Sequence, residues 1–441
     1  MKIKLKSYLD ILEKLISFKT INNPVQNTIP SKDILLFIKN YLSEYGYKSV
    51  MYEKKGYWTL IAYIKRNKPT VLYLGHCDVV PPGPNWETEP FIFIIKDEKG
   101  YGRGSADMKG SVAVMLSLAE FFAKEEKGTI IFAFNLDEES GGAFGAGELL
   151  PQLEIHDLVP DYVVNGDANG LQIINRRRNP YIINLTIPKK KRSVKGKSYT
   201  EKFTTEIAGN RTMHAAYFNK ELDTHCAVAA SKKLSENDLV QSISGVFIKN
   251  NVIPPEIIVN YVKRNEEGED IEIDENLTLF LRSIRDFDKV DIESDHSDYG
   301  INLTFNYFIE KEDHYFVQLD LRIMSNNHAL IQKYFEDFFK DHNVEAEIKA
   351  EGSIGPVNTS ESSVLVQKAL EVAKELELST KTIEMGGATD SRWFSAKNIP
   401  AIEFGGIGGN VHGANEYIEL ESLKIVQNFY KKLYVKLTEL D

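Results

Sequence analysis

The chain predicts an α/β domain with a mostly parallel sheet covered by helices on both faces, interrupted by an inserted α+β domain. Three observations carry that expectation. Over residues 1–178, apolar strand-like runs alternate with segments of helical periodicity. Over 179–355 the texture changes to hairpin-like alternation with few helices. At 356–441 the first texture returns. Two domains are also the expected number for 441 residues.

The elements follow in order. Tyr8, Leu9, Ile11, Leu12, Leu15 and Ile16 recur at helical spacing. Charges interrupt this apolar stretch, so behind its basic start it reads as an amphipathic helix and not a signal peptide. Residues 33–46 (DILLFIKNYLSEYG) repeat the pattern and stop at Gly46. Strands are expected at 59–65 (TLIAYIK) and 70–74 (TVLYL), then a helix over 108–124. A strand at 129–136 (TIIFAFNL), a short helix before Pro151 and a strand at 161–165 (DYVVN) complete this part.

In the inserted block, 181–187 (YIINLTI) and 203–208 read as paired strands, and 221–235 as a helix. The acidic stretch 265–276 (NEEGEDIEIDEN) reads as a solvated loop. Residues 301–309 and 315–323 alternate polar with apolar around the turn EKEDH, a hairpin pattern. A helix over 328–342 and a strand at VEAEIKAE close the block. The last part holds a helix over 360–378, a strand in PAIEFGG and a final helix at 421–437.

Hydrophobic content of 42%, charged content of 27% and the lack of a long apolar run describe a soluble, cytoplasmic chain with no membrane partner. Cys77 and Cys226 are too few for a disulfide framework and are expected reduced and packed. The net charge of −11 argues against nucleic acid as a partner. The one basic run, KKKRSVKGK at 189–197, reads as an exposed hairpin tip.

In open α/β sheets, ligands sit beyond the carboxyl ends of the strands. His76 and Asp78 follow TVLYLG; Asp137, Glu138 and Glu139 follow TIIFAFNL; Asp167 follows DYVVN; His412 follows PAIEFGGIGGN. Asp107 opens a helix after YGRGSA. Each alone is an ordinary loop residue. Together they are two imidazoles and several carboxylates on one sheet edge, a donor set that suits zinc, manganese or cobalt. An odd carboxylate can bridge two ions. Asp78 is spaced to accept the other N–H of a metal-bound His76. Adjacent Glu138 and Glu139 suggest that one binds metal while the other accepts a proton.

Five motifs in order, GHCDVVPPG, YGRGSADMKGSVA, LDEESGGAFGAGEL, GDANG and NVHGANEYI, resemble a zinc metallopeptidase family. Its members include acetylornithine deacetylase, succinyl-diaminopimelate desuccinylase, aminoacylase and glutamate carboxypeptidase. The resemblance implies a catalytic domain (1–178 and 356–441) and a ferredoxin-like lid (179–355) that serves as a homodimer surface. It implies two Zn²⁺, or Co²⁺ or Mn²⁺, with Asp107 bridging, His76 and Asp167 completing one site, and Glu139 and His412 the other. Asp78 would orient His76, Glu138 would be the general base, and the peptide after Asp107 would be cis. His214, in NRTMHAAY, resembles a lid histidine that reaches an active site across the dimer. Arg392, in GGATDSRWF, and Arg322, in DLRIM, resemble arginines that hold a substrate carboxylate. For Arg176, Arg177 and Arg178, a solvated linker is an equal expectation.

The implied reaction is hydrolysis of the amide of an N-acyl amino acid by a metal-bound water, on a small substrate with a free carboxylate. A carboxypeptidase or dipeptidase acting on short peptides is the alternative, and a metal-binding protein without catalysis the third. Three departures touch the substrate: no proline follows His214, the lid is longer than usual, and Asp167 stands where a glutamate is common.

Overall fold

The computed structural model describes residues 7–209 and 213–439. The basic start at 1–6 and residues 210–212 beside His214 lie outside that range. The chain divides into two compact units, one comprising 1–177, 357–385 and 389–441, the other 178–356 with 386–388.

In the first unit a nine-stranded mixed sheet runs Lys48–Lys54, Tyr57–Ile64, Thr129–Asn135, Thr70–His76, Tyr162–Asn165, Ala401–Glu403, Ile173–Arg177 and Val357–Asn358, with Thr382–Met385 also on Ile173–Arg177. The four central strands are mutually parallel, and antiparallel strands flank them. Thr70–His76 and Thr129–Asn135 are buried at every residue, which requires cover on both faces. Val71 and Tyr73 face one core with Leu12, Leu15, Val112, Val426 and Phe429 from the helices on that side. Leu72 and Leu74 face the other, with Leu149, Leu153 and Phe394. The period of two along the strand therefore serves two cores. The first helix, Tyr8–Ser17, starts where Ser7 and Asp10 exchange a capping box. Residues 108–124 are not one helix: Ser105–Lys109 is a wide turn, and Gly110–Ser117 and Ala119–Lys124 follow separately.

In the second unit the chain order is strand Asn179–Pro188, helices Cys226–Lys233 and Glu275–Ser283, strands Asn302–Glu310 and His314–Ile323, helix His328–Asp341 and strand Glu347–Gly352. The four strands form one antiparallel sheet in the order 302–310, 314–323, 179–188, 347–352. This is the ferredoxin-like β-α-β-β-α-β pattern. A further antiparallel sheet is inserted in it, ordered Asp238–Gly245, Glu256–Lys263, Lys191–Thr204 and Glu269–Asp274.

That second sheet corrects three readings of the sequence. The 181–187 run pairs with 314–323 and 347–352, and not with the strand that follows it. The basic run is no hairpin tip but the start of the long strand Lys191–Thr204. The acidic stretch is no loop: Glu269–Asp274 pairs antiparallel with Lys191–Gly196. Ile273 and Val194 enter a small core with Leu239 and Val262. Lys191 meets Glu272 at 2.8 Å and Arg192 meets Glu275 at 3.1 Å. The acidic surplus masked the alternation of Ile271 and Ile273.

Candidate metal centre

The three parallel strands ending at His76, Asn135 and Asn165 deliver Asp78, Asp137–Glu139 and Asp167 to one edge of the sheet. Asp107 comes from the wide turn Ser105–Lys109, where its peptide to Met108 is cis, as the resemblance implies. His412 follows the short strand Gly408–Gly409, in a left-handed conformation with φ of 62°.

Asp107 faces both imidazoles. Its Oδ1 lies 3.0 Å from His76 Nε2 and its Oδ2 3.0 Å from His412 Nε2. His412 Nε2 also lies 3.2 Å from Glu139 Oε2. The donor atoms of His76, Asp107 and Asp167 lie within 4.8 Å of one another, and so do those of Asp107, Glu139 and His412. Each trio shares Asp107. Nitrogen and oxygen donors without a thiolate fit borderline divalent ions, and a carboxylate with one oxygen toward each trio fits two.

The electrostatics agree with that fit. Among the described residues, no lysine or arginine side chain forms an ion pair with Asp107, Glu138, Glu139 or Asp167. Burial raises the Asp167 pKa to about 7, with Asp107 adding to the effect. Burial likewise pushes Glu138 well above the usual range, against the pull of His76 and with Asp167 adding to it. For His412, burial opposes protonation, yet Glu139 and Asp107 bring it up to about 11. His76 is raised in the same way against burial, by Asp107 and Asp78. This edge of the sheet attracts positive charge.

Neighbouring residues hold the donors. His76 Nδ1 lies 3.1 Å from the Asp78 carbonyl oxygen and 3.4 Å from its Oδ1. Donation from Nδ1 leaves Nε2 turned toward Asp107. The Asp78 carboxylate also accepts from Glu138 N at 3.3 Å, Glu139 N at 3.1 Å and Asn22 Nδ2 at 2.7 Å. It therefore anchors the turn carrying both glutamates. Glu416 does the same for Asp107, accepting from Gly104, Ala106 and Asp107 backbone N–H groups at 3.0, 2.9 and 3.1 Å while paired with buried Arg103. Arg177 pairs with buried Glu403 and donates to the Asp167 carbonyl at 2.9 Å.

Sequence reasoning did not single out Asn22, Arg103, Glu403 or Glu416. Arg103 and Glu416 lie inside two of the motifs, but no spacing rule links residues 313 positions apart.

The other expected site residues bond to groups of the protein itself. Arg322 forms a two-pronged pair with Asp320, at 2.6 and 2.7 Å, inside the second unit. Arg392 is 5% exposed and donates to the carbonyls of Thr389 and Gly141. His214, in the second unit, accepts from Ala216 N at 3.0 Å and faces the Asn251 amide at 3.1 Å.

Acids and imidazoles gathered at the strand ends of such a sheet make a site suited to divalent ions. The chain matches the family described as Peptidase family M20/M25/M40 over residues 72–436, and it belongs to that family. It is 26% identical over 438 residues to succinyl-diaminopimelate desuccinylase of Nautilia profundicola, covering 96% of this chain and 98% of that one. Its fold is similar to aminoacylhistidine dipeptidase from Vibrio alginolyticus, with a TM-score of 0.70 at 13% identity, covering 97% and 96% of the two chains. It is also similar to YXEP of Bacillus subtilis, a dinuclear metal binding peptidase of the M20 family, with a TM-score of 0.54 at 13% identity and 98% of both chains covered. The chain is accordingly a hydrolase of amide bonds. No helix among the described residues is long and apolar enough to cross a membrane.

Proposed function

We propose that the chain removes an acyl group from an N-acyl amino acid with a free carboxylate, an N-succinyl compound being the first candidate. The observation that carries this reading is the bridging position of Asp107 between His76 and His412, with Glu138 adjacent to Glu139. In this reading His76, Asp107 and Asp167 hold one divalent ion, and Asp107, Glu139 and His412 the other. Two such ions, when bound, supply Lewis acidity toward a carbonyl and lower the pKa of water from ~15.7 toward ~7.

The protein's own groups do the rest. Glu138 accepts the proton of the attacking water and returns it to the leaving amine. Asp78 fixes the tautomer of His76 and the placement of Glu138. Arg322 is the proposed fork for the substrate carboxylate, offering its Nη1 side while Nε and Nη2 stay paired with Asp320. His214 is the proposed additional donor to the developing oxyanion, supplied across a homodimer formed by the second unit.

The likeness to a dipeptidase favours hydrolysis of short peptides as the second reading. Zinc-, cobalt- or manganese-loaded protein assayed against N-succinyl, N-acetyl and dipeptide substrates separates the two. Rapid turnover of dipeptides alone selects the second reading. Hydrolysis of none of them, by protein shown to carry metal, rejects both.

A further inference from the structure

The turn Asp137–Gly145 carries both Glu138 and Glu139, and the short helix Arg392–Ser395 packs against it. Arg392 Nη2 donates to the Gly141 carbonyl, and Nη1 donates to the Thr389 carbonyl at 2.7 Å. Gly141 and Gly142 both take left-handed conformations, with φ of 101° and 65°. A Cβ on Gly142 would lie 2.2 Å from Asp390 Oδ1 and 3.2 Å from Trp393 Nε1. On Gly147 it would lie 3.1 Å from the Trp393 ring. Asp390 Oδ2 accepts from Asn135 Nδ2 at 2.6 Å, at the end of the strand that leads into the turn. Asp137 Oδ2 accepts from Phe144 and Gly145 N–H at 2.8 and 2.7 Å and closes the loop on itself.

The turn is thus gripped on two sides. Asp78 takes the amides of Glu138 and Glu139, and Arg392 takes the carbonyl three residues past Glu138. The Arg392 guanidinium spends two donors on backbone oxygens inside the first unit and is almost fully buried. Two of its five N–H donors are thereby committed to the protein's own backbone.

We propose that Arg392 is a positioning residue, which with Asp390 and Trp393 clamps the Asp137–Gly142 turn and so sets Glu138 and Glu139. The inference rests on the roles given above to those glutamates. It predicts that loss of Arg392 acts on the chemical step and on metal geometry, not on recognition of the substrate carboxylate.

The test compares Arg392→Gln, Arg392→Lys and Gly142→Ala with the parent on an N-succinyl amino acid and on its carboxamide. Cobalt-loaded protein gives visible absorption as a second readout. Displacement of the glutamates lowers kcat by up to about 100-fold, equally on both substrates, with KM within about twofold. The cobalt spectrum shifts in Arg392→Gln, and the single ammonium group of Arg392→Lys restores part of both losses. Gly142→Ala wedges the turn off Asp390 with Arg392 intact and reproduces the signature, so the outcome does not depend on one variant folding.

A KM increase above about tenfold confined to the free carboxylate substrate, with an unchanged cobalt spectrum, overturns the proposal and makes Arg392 a substrate fork. Unchanged kcat, KM and spectrum in all three variants also overturn it. If the parent hydrolyses no amide, the proposed function fails, and the cobalt spectra alone still decide the clamp.

Discussion

Two acidic clusters of the chain are treated in opposite ways. In the second unit, Glu269–Asp274 pairs with the basic start of a neighbouring strand, and Glu272 and Glu275 each meet a cationic side chain. At the sheet edge of the first unit, Asp107, Glu138, Glu139 and Asp167 converge on two imidazoles without one lysine or arginine ion pair among the described residues. Exposed ion pairs are worth about 0.2–1 kcal/mol each. Burying uncompensated charge costs several kcal/mol per ion unless a cation answers it. Paired exposed charges therefore describe a wet surface, whereas buried carboxylates answered only by two imidazoles form a donor set that suits divalent cations.

Four measurements bear on that contrast. Glu138→Gln should lower kcat by about 10²–10⁴-fold while bound metal stays the same, by single-turnover kinetics and metal analysis. Full activity in that variant removes the proton-transfer role.

The next concerns two buried histidines with opposite shifts. His76 is raised by its acidic neighbours, whereas burial lowers His225, in the second unit, to about 4. His225 caps the helix Cys226–Lys233 through Nδ1 and donates from Nε2 to the Phe305 carbonyl at 2.9 Å. Its folded pKa lies below the unfolded value of about 6.5. The unfolded chain therefore binds the proton first as pH falls. The stabilisation is complete above pH ~6.5 and is lost between there and pH ~4, amounting to about 3 kcal/mol. Urea titrations should show this slope in the parent and not in His225→Asn. Equal slopes in the two proteins would contradict it.

Removing divalent cations with a chelator should abolish activity and lower the calorimetric Tm. Restoring zinc at about 100 times its Kd should return about 2.7 kcal/mol of stability. A Tm indifferent to zinc would mean that the acidic edge binds no ion in the folded state. The smallest effect belongs to the surface pairs: Glu272→Ala should change stability by less than about 1 kcal/mol and leave kcat unchanged.

Period and position made much of this legible in the sequence. The buried strand 70–76 and the hairpin 302–323 announce themselves by their residues. His76, Asp78, Asp107, Glu139, Asp167 and His412 stand out because strand ends gather them and five ordered motifs frame them. What stayed hidden depends on pairing between distant residues. Glu416 holds the Asp107 turn, and Arg392 holds the Glu138 turn, through backbone groups that carry no residue identity. The basic and acidic runs looked like unrelated surface features because strand pairing between them, and not local sequence, makes them one element.

The proposed function places Asp107 between two cations. Crystals grown with zinc and measured at the zinc absorption edge test it most directly. Two anomalous peaks are expected, each about 2.0–2.2 Å from its ligands, one at His76, Asp107 and Asp167 and the other at Asp107, Glu139 and His412. Zinc bound elsewhere in the crystal, with no peak touching Asp107, would contradict it.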